Sequence, residues 1–293
     1  MLGEILTAIA TPFKADGAVD VDAFRALAAH LVTNGSDGLV VTGTTGESPT
    51  LSDAERFELY EVAVDEVGDR ATVVAGTGTN ATEHSVRLTE RTHEIGVAGF
   101  LVVTPYYNKP PVRGIVEHFK AIAAVTDGPI MVYNIPGRVV LNLEPEAIAE
   151  LAEIPNVRAV KQANDDLEHA RRIVELGLDL YAGDDDLIVP FLGLGGVGGV
   201  CVHTHVVGPQ VKEMVRLFRT GDVDGARALD RELRPSIDLL RVAPNPIAIK
   251  CALNLLGHEV GGLRLPLVEA SPDEREAVRG CLERLGLLAP VAA

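Results

Sequence analysis

With 293 residues, 47% of them hydrophobic, the chain can bury the core of one large domain or of one domain with an appendage. Its 42 acidic residues outnumber its 26 basic ones, and the net charge of -16 repels polyanions, which sets nucleic acid and anionic membrane surfaces aside as partners. Neither a basic-then-apolar leader nor an apolar run of about 18 residues is present, and the three cysteines (Cys201, Cys251 and Cys281) are too scattered for a disulfide framework or a zinc site, so the expected address is the cytosol.

Eight short apolar runs follow one another: 5–13, 38–46, 71–78, 99–107, 129–137, 157–163, 180–186 and 197–203. Segments with helical periodicity lie between them, such as 21–35, which Gly35 closes in the manner of a C-cap. Strands that are apolar on both faces and separated by helices predict a parallel sheet, and eight such units predict a closed (β/α)8 barrel over residues 1–221. From residue 222 the strand signals stop. Three helical stretches, 222–244, 245–257 and 271–286, predict a C-terminal helical appendage spanning 222–293.

In such barrels chemistry collects where the loops after the strands converge. The second strand delivers Thr44 and Thr45 in "GTTG", and the fourth delivers Tyr106 and Tyr107. Tyr133, Asn134 and Arg138 follow from the fifth strand and Lys161 from the sixth, while Gly183 and Asp184 to Asp186 follow from the seventh. Lys161 is one of only six lysines, and the period-two rule puts Val157 and Ala159 on its face. A lysine in an apolar barrel mouth loses hydration, which disfavours the ammonium and leaves amine free to attack a carbonyl. The alternative is a lysine paired with Asp165 or Asp166, or one extended to solvent. A Schiff-base mechanism also needs protons moved to and from the substrate oxygen, and the hydroxyls of Tyr133, Tyr107 and Thr44 are candidates for that relay, against packing with wet hydroxyls. Lys250, on an appendage helix, reads as structural. His203 and His205, spaced i, i+2 near a strand end, face one way as metal ligands could, and the glycine-rich 195–199 lies where barrels often bind phosphate. A catalytic metal is not expected, because a Schiff-base lysine already supplies an electron sink, and the glycines read as close backbone approach rather than as a phosphate site.

"GTTGES" at 43–48, "TPYYNKP" at 104–110, "YNIPGR" at 133–138, a strand ending in Lys161 and "GDD" at 183–185 together resemble the dihydrodipicolinate synthases of the pyruvate-dependent class I aldolase superfamily. The resemblance runs from Thr7 through "RLPL" at 264–267. It implies a Schiff base between Lys161 and pyruvate, Tyr133 as general acid and base, and Thr44 linking it to Tyr107, which reaches in from a neighbouring subunit of a homodimer or homotetramer. It further implies that Thr45 holds the pyruvate carboxylate, that backbone near Gly183 and Val200 lines the pocket, and that Arg138 holds the carboxylate of L-aspartate-4-semialdehyde. No cofactor is implied. The resemblance also marks Ser48, Asn80 and Tyr106 as a possible allosteric site for L-lysine, with Asp53, Arg56 and His84 departing from what that site uses. Val139, the "KQAND" after the catalytic strand and His205 depart as well, all in loops or supporting positions. Rival expectations are a sialic acid lyase, a 2-keto-3-deoxy-sugar-acid aldolase, or a catalytically silent binding barrel.

Overall fold

A computed structural model describes residues 2–289. Eight strands, β1 (Ile5–Ala8), β2 (Gly38–Val41), β3 (Thr72–Gly76), β4 (Gly99–Val103), β5 (Ile130–Asn134), β6 (Val157–Gln162), β7 (Asp179–Ala182) and β8 (Gly198–Cys201), run in parallel. They close in sequence order, with β8 pairing back onto β1. The expected (β/α)8 barrel is therefore present, and all eight apolar runs are strands. The strands are shorter than the runs, because each run's C-terminal residues leave the ladder to form the loops at the mouth.

Alternation sorts the strand residues into two layers. Leu6, Ala8, Val40, Val74, Leu101, Met131, Tyr133, Ala159, Tyr181 and Val200 fill the barrel interior. Ile5, Leu39, Val41, Val73, Phe100, Val102, Val132, Val160 and Leu180 pack outward with the helices. Helix starts are fixed locally: Ser52 and Glu55 form a reciprocal capping box for Asp53–Val67, and Asp20 accepts the Ala23 N–H to open Val21–Thr33. Val157 departs from expectation. The β5–β6 register shifts so that Ile130 pairs with Val157 but Met131 pairs with Ala159, leaving Arg158 as an extra residue. This bulge turns Val157 outward into the helix-facing cluster, while Ala159 stays inside beneath Lys161.

Beyond the barrel, the stretch 222–244 expected to be one helix is two, Val223–Glu232 and Arg234–Arg241. Pro235 has no N–H to give and is tolerated only in a first turn, so the chain restarts at Leu233. Arg234–Arg241, Ile247–Leu255 and Pro272–Arg284 close over an apolar cluster that includes Leu239, Ile249, Ala252, Val278 and Leu282 and is joined by Val202 from the barrel mouth, whereas Val223–Glu232 buries Ala226 in the helix-facing cluster of the barrel. Among the described residues no helix is long and apolar enough to cross a membrane.

Candidate active site

A cavity of about 460 Å³ opens at the C-terminal ends of the strands. Lys161, Tyr133, Thr44, Thr45, Arg138 and Gly183 all line it, together with Asp165, Asp184 and Asn245. Cross-strand register pairs Tyr133 with Lys161, so both project inward from one layer, and the Lys161 Nζ lies 4.3 Å from the centre of the Tyr133 ring. Lys161 is 5% exposed. Neither aspartate offered as its alternative partner forms an ion pair with it: Asp166 caps the helix Leu167–Glu175 by accepting the His169 N–H, and Asp165 sits on the cavity wall.

The Thr44–Thr45 loop is held from several sides. Left-handed backbone falls on Thr42 (φ 54°) and Glu47 (φ 55°), not on the glycines between them. Gly46 is needed for closeness instead: a Cβ there would meet Thr11 Oγ1 and the Thr42 Cα at 3.2 Å, and the Thr11 hydroxyl donates to the Gly46 carbonyl at 2.8 Å. The buried Thr42 hydroxyl bonds Tyr60 and the Gly76 carbonyl. Glu47 is buried beside Lys250, whose Nζ donates to Glu47 Oε1 at 3.0 Å, to the Thr11 carbonyl at 2.9 Å and to the Gly262 carbonyl. The Arg264 N–H donates to the other Glu47 oxygen at 3.1 Å.

Asn245 carries no signal in the sequence beyond the "NP" that opens its helix, yet it touches the site twice. Its Nδ2 donates to Thr45 Oγ1 at 3.0 Å, and its carbonyl accepts Arg138 Nη2 at 3.4 Å. Its own Oδ1 is buried without a partner among the described residues. Arg138 rides on the short helix Pro136–Val139, whose following segment is pinned by Asn134. Asn134 donates to Asn142 Oδ1 (2.9 Å) and Gln162 Oε1 (3.0 Å) and accepts the Leu143 N–H. Gln162, within the departing "KQAND", therefore supports the loop that presents Arg138.

Gly183 fits because a Cβ would strike Ala163 Cβ at 2.7 Å where β6 and β7 meet. Val200 does not line the cavity; it is fully buried in the interior layer below. Asp184 faces the cavity, where burial and then the neighbouring Asp185 raise its pKa while Lys161 opposes. Asp185 accepts the Val202 and His203 N–H groups at 2.7 and 2.8 Å, and Asp186 accepts Arg241 Nη2 at 2.7 Å.

His203 and His205 lie past the end of β8, at the start of the helix Thr204–Arg219, and point to different partners. His203 Nδ1 meets Ser236 Oγ at 3.1 Å. His205 Nδ1 meets the Val202 carbonyl at 2.7 Å while its Nε2 accepts the Ala10 N–H, and burial lowers its pKa to about 4. A different trio, Asp185, Cys201 and His203, has ligand atoms within 4.8 Å of one another. One Asp185 oxygen already serves two backbone N–H groups, and burial holds the Cys201 thiol well above its usual range, so these groups are engaged as internal packing.

Tyr107 is 90% exposed at φ 74°, and this chain does not bring it to Thr44. Ser48 and Tyr106 line a second cavity of about 200 Å³, whereas Asn80 stands outside it, its carbonyl accepting Asn108 Nδ2.

Residues 1–285 match the dihydrodipicolinate synthetase family. The chain is 48% identical over 289 residues to the 4-hydroxy-tetrahydrodipicolinate synthase of Moorella thermoacetica, covering 98% of this chain and 99% of that one. It is 47% identical over 290 residues to the enzyme of the same name from Cyanothece sp., with 98% and 99% covered. Among solved structures, DHDPS from Cyanidioschyzon merolae with lysine bound superposes with a TM-score of 0.96 at 42% identity, covering 98% of this chain and 99% of that chain.

Proposed function

The chain belongs to the dihydrodipicolinate synthetase family, and from that premise we propose that its barrel mouth condenses pyruvate with L-aspartate-4-semialdehyde to give 4-hydroxy-tetrahydrodipicolinate. One observation carries the reading: a buried lysine with no ion pair among the described residues sits on the cavity wall against a tyrosine ring, with an arginine at the rim.

The Lys161 amine attacks the ketone carbon of pyruvate, and loss of water leaves an imine. The imine nitrogen draws electrons from the adjacent methyl, which gives up a proton to form an enamine, so no separate cofactor is required. The enamine carbon attacks the aldehyde, whose oxygen takes up a proton. The substrate amino group then adds to the imine carbon, closes the ring and expels the Lys161 amine. Tyr133 moves the protons, Thr44 connects it to Tyr107 of a second copy, Thr45 and the backbone at Gly183 hold the pyruvate carboxylate, and Arg138 receives the semialdehyde carboxylate. On this reading the working form is a homodimer or homotetramer in the cytoplasm. The helices after residue 222 act as an appendage that delivers Asn245 to Thr45.

A basic side chain at 138 suits a short carboxylated aldehyde better than a neutral polyol, which favours the synthase over the sialic acid and keto-deoxy-sugar-acid aldolases. Purified protein given pyruvate and L-aspartate-4-semialdehyde should consume both. Faster turnover of N-acetylneuraminate or a keto-deoxy-sugar acid would overturn the assignment.

A further inference from the structure

Thr45 and Arg138, which hold the two substrate carboxylates in the proposed reaction, meet at Asn245, and the two contacts are of different kinds. Arg138 Nη2 donates to the main-chain carbonyl of Asn245 at 3.4 Å, whereas the Asn245 side chain turns to Thr45, with Nδ2 3.0 Å from Oγ1. A threonine hydroxyl has one hydrogen to give and two lone pairs with which to accept. The Asn245 Nδ2 carries hydrogens only, so it takes a Thr45 lone pair and leaves the Thr45 hydrogen ungiven. Among the described residues Thr45 Oγ1 has no other partner, although Thr45 is 2% exposed and lines the cavity of Lys161. Reversing the amide would draw that hydrogen onto Oδ1, and would move Nδ2 with its two hydrogens to the buried place where Oδ1 has no partner.

We infer that Asn245 is a positioning residue for pyruvate: its amide sets the direction of the Thr45 hydroxyl, so that the hydrogen is presented to the substrate carboxylate. The inference rests on the proposed condensation, in which Thr45 holds that carboxylate. The direction matters because Asp165 and Asp184 line the same cavity with no ion pair among the described residues and repel an anion. A donor already turned toward the cavity spares the cost of orienting it when the anion arrives. The two contacts also divide the work. A side-chain substitution at 245 alters the setting of Thr45 and leaves the carbonyl that receives Arg138 in place.

The test titrates full-length Asn245→Ala and Asn245→Asp with pyruvate, reading the fraction of chain trapped by borohydride at each concentration, and measures the semialdehyde KM at saturating pyruvate. Asn245→Ala should raise the pyruvate concentration for half-trapping by about 5- to 10-fold, as loss of one neutral hydrogen bond does. Asn245→Asp should raise it by about 30-fold or more, since a carboxylate takes the Thr45 hydrogen and repels the substrate. The semialdehyde KM should change by less than about twofold in either variant, and in a Thr45→Val background, with no hydroxyl to direct, Asn245→Ala should add less than about twofold to half-trapping. The inference is overturned if Asn245→Asp traps pyruvate as wild type does, if the constants for both substrates rise together as a merely structural role would make them, or if the Thr45→Val and Asn245→Ala effects multiply. Asparagine and aspartate have the same size, so Asn245→Asp carries the test should the alanine variant unfold. Wild-type protein that traps no adduct overturns the condensation and the inference with it, whereas an adduct indifferent to residue 245 overturns the inference alone.

Discussion

Lys161 and Lys250 share most of what sequence can report about a lysine: each follows apolar residues and each is buried. Their surroundings are similar too, with Nζ 4.3 Å from the Tyr133 ring centre in one case and 4.4 Å from that of Phe13 in the other. They differ in partners. Lys250 is fully buried, satisfied by Glu47 and by two carbonyls, and the cavity it lines holds only about 40 Å³; burial lowers its pKa and Glu47 opposes that. Among the described residues Lys161 has no ion pair, and it faces about 460 Å³ of space. Burial alone therefore does not make a lysine a nucleophile. On the proposed mechanism an unoccupied donor set directed into a cavity does, whereas a filled one makes a fastener that joins the C-terminal helices to the loop carrying Thr44 and Thr45.

The largest effect expected from this contrast is at Lys161. Lys161→Ala should lower kcat on the order of 10⁴-fold or more, as removal of a covalent nucleophile does, with little change in melting temperature. A variant that retains a tenth of the activity would mean the chemistry lies elsewhere.

Lys250→Met should behave in the opposite way. It leaves the Glu47 carboxylate buried and unpaired, at a cost of about 3 to 5 kcal/mol in chemical denaturation, and the double variant with Glu47→Gln should recover part of that loss. Protein that remains folded should still form the pyruvate adduct. Loss of the adduct at unchanged stability would break the distinction between the two lysines.

His205 tests the principle beneath the comparison, that a buried base without a counter-charge stays neutral. Its pKa is about 4 folded against 6.5 unfolded, so unfolding takes up a proton between these values. The stability tied to this residue is complete above pH 6.5 and is lost as the pH falls toward 4, by about 3 kcal/mol at ~1.4 kcal/mol per unit. His205→Asn should flatten that slope in unfolding curves recorded across the range. An unchanged slope would contradict the assignment.

Arg138→Ala should have a smaller effect confined to one substrate. KM for L-aspartate-4-semialdehyde should rise about 30- to 150-fold, from a contact worth roughly 2 to 3 kcal/mol, with pyruvate adduct formation largely intact. Equal losses for both substrates would mean that Arg138 braces the pocket through Asn245.

The barrel was legible because eight doubly apolar runs separated by helical segments leave few other ways to bury both faces. The mouth residues were legible because strand ends project there, which located Lys161, Tyr133, Thr44, Thr45 and Arg138 on one cavity. What was missed depends on contacts distant in sequence or on local irregularity. Asn245 reaches Thr45 across 200 residues, and Lys250 reaches Glu47 across 203. The bulge at Arg158 that turns Val157 outward has no marker in an otherwise alternating strand. Nor does the "GTTG" motif show that the left-handed positions fall on Thr42 and Glu47 rather than on its glycines, held there by Tyr60 and Lys250.

The most direct measurement incubates the protein with pyruvate, reduces it with borohydride and locates the added mass by peptide sequencing. The account expects one adduct per chain, on Lys161, with Lys250 unmodified. No adduct, or one on Lys250, would contradict it.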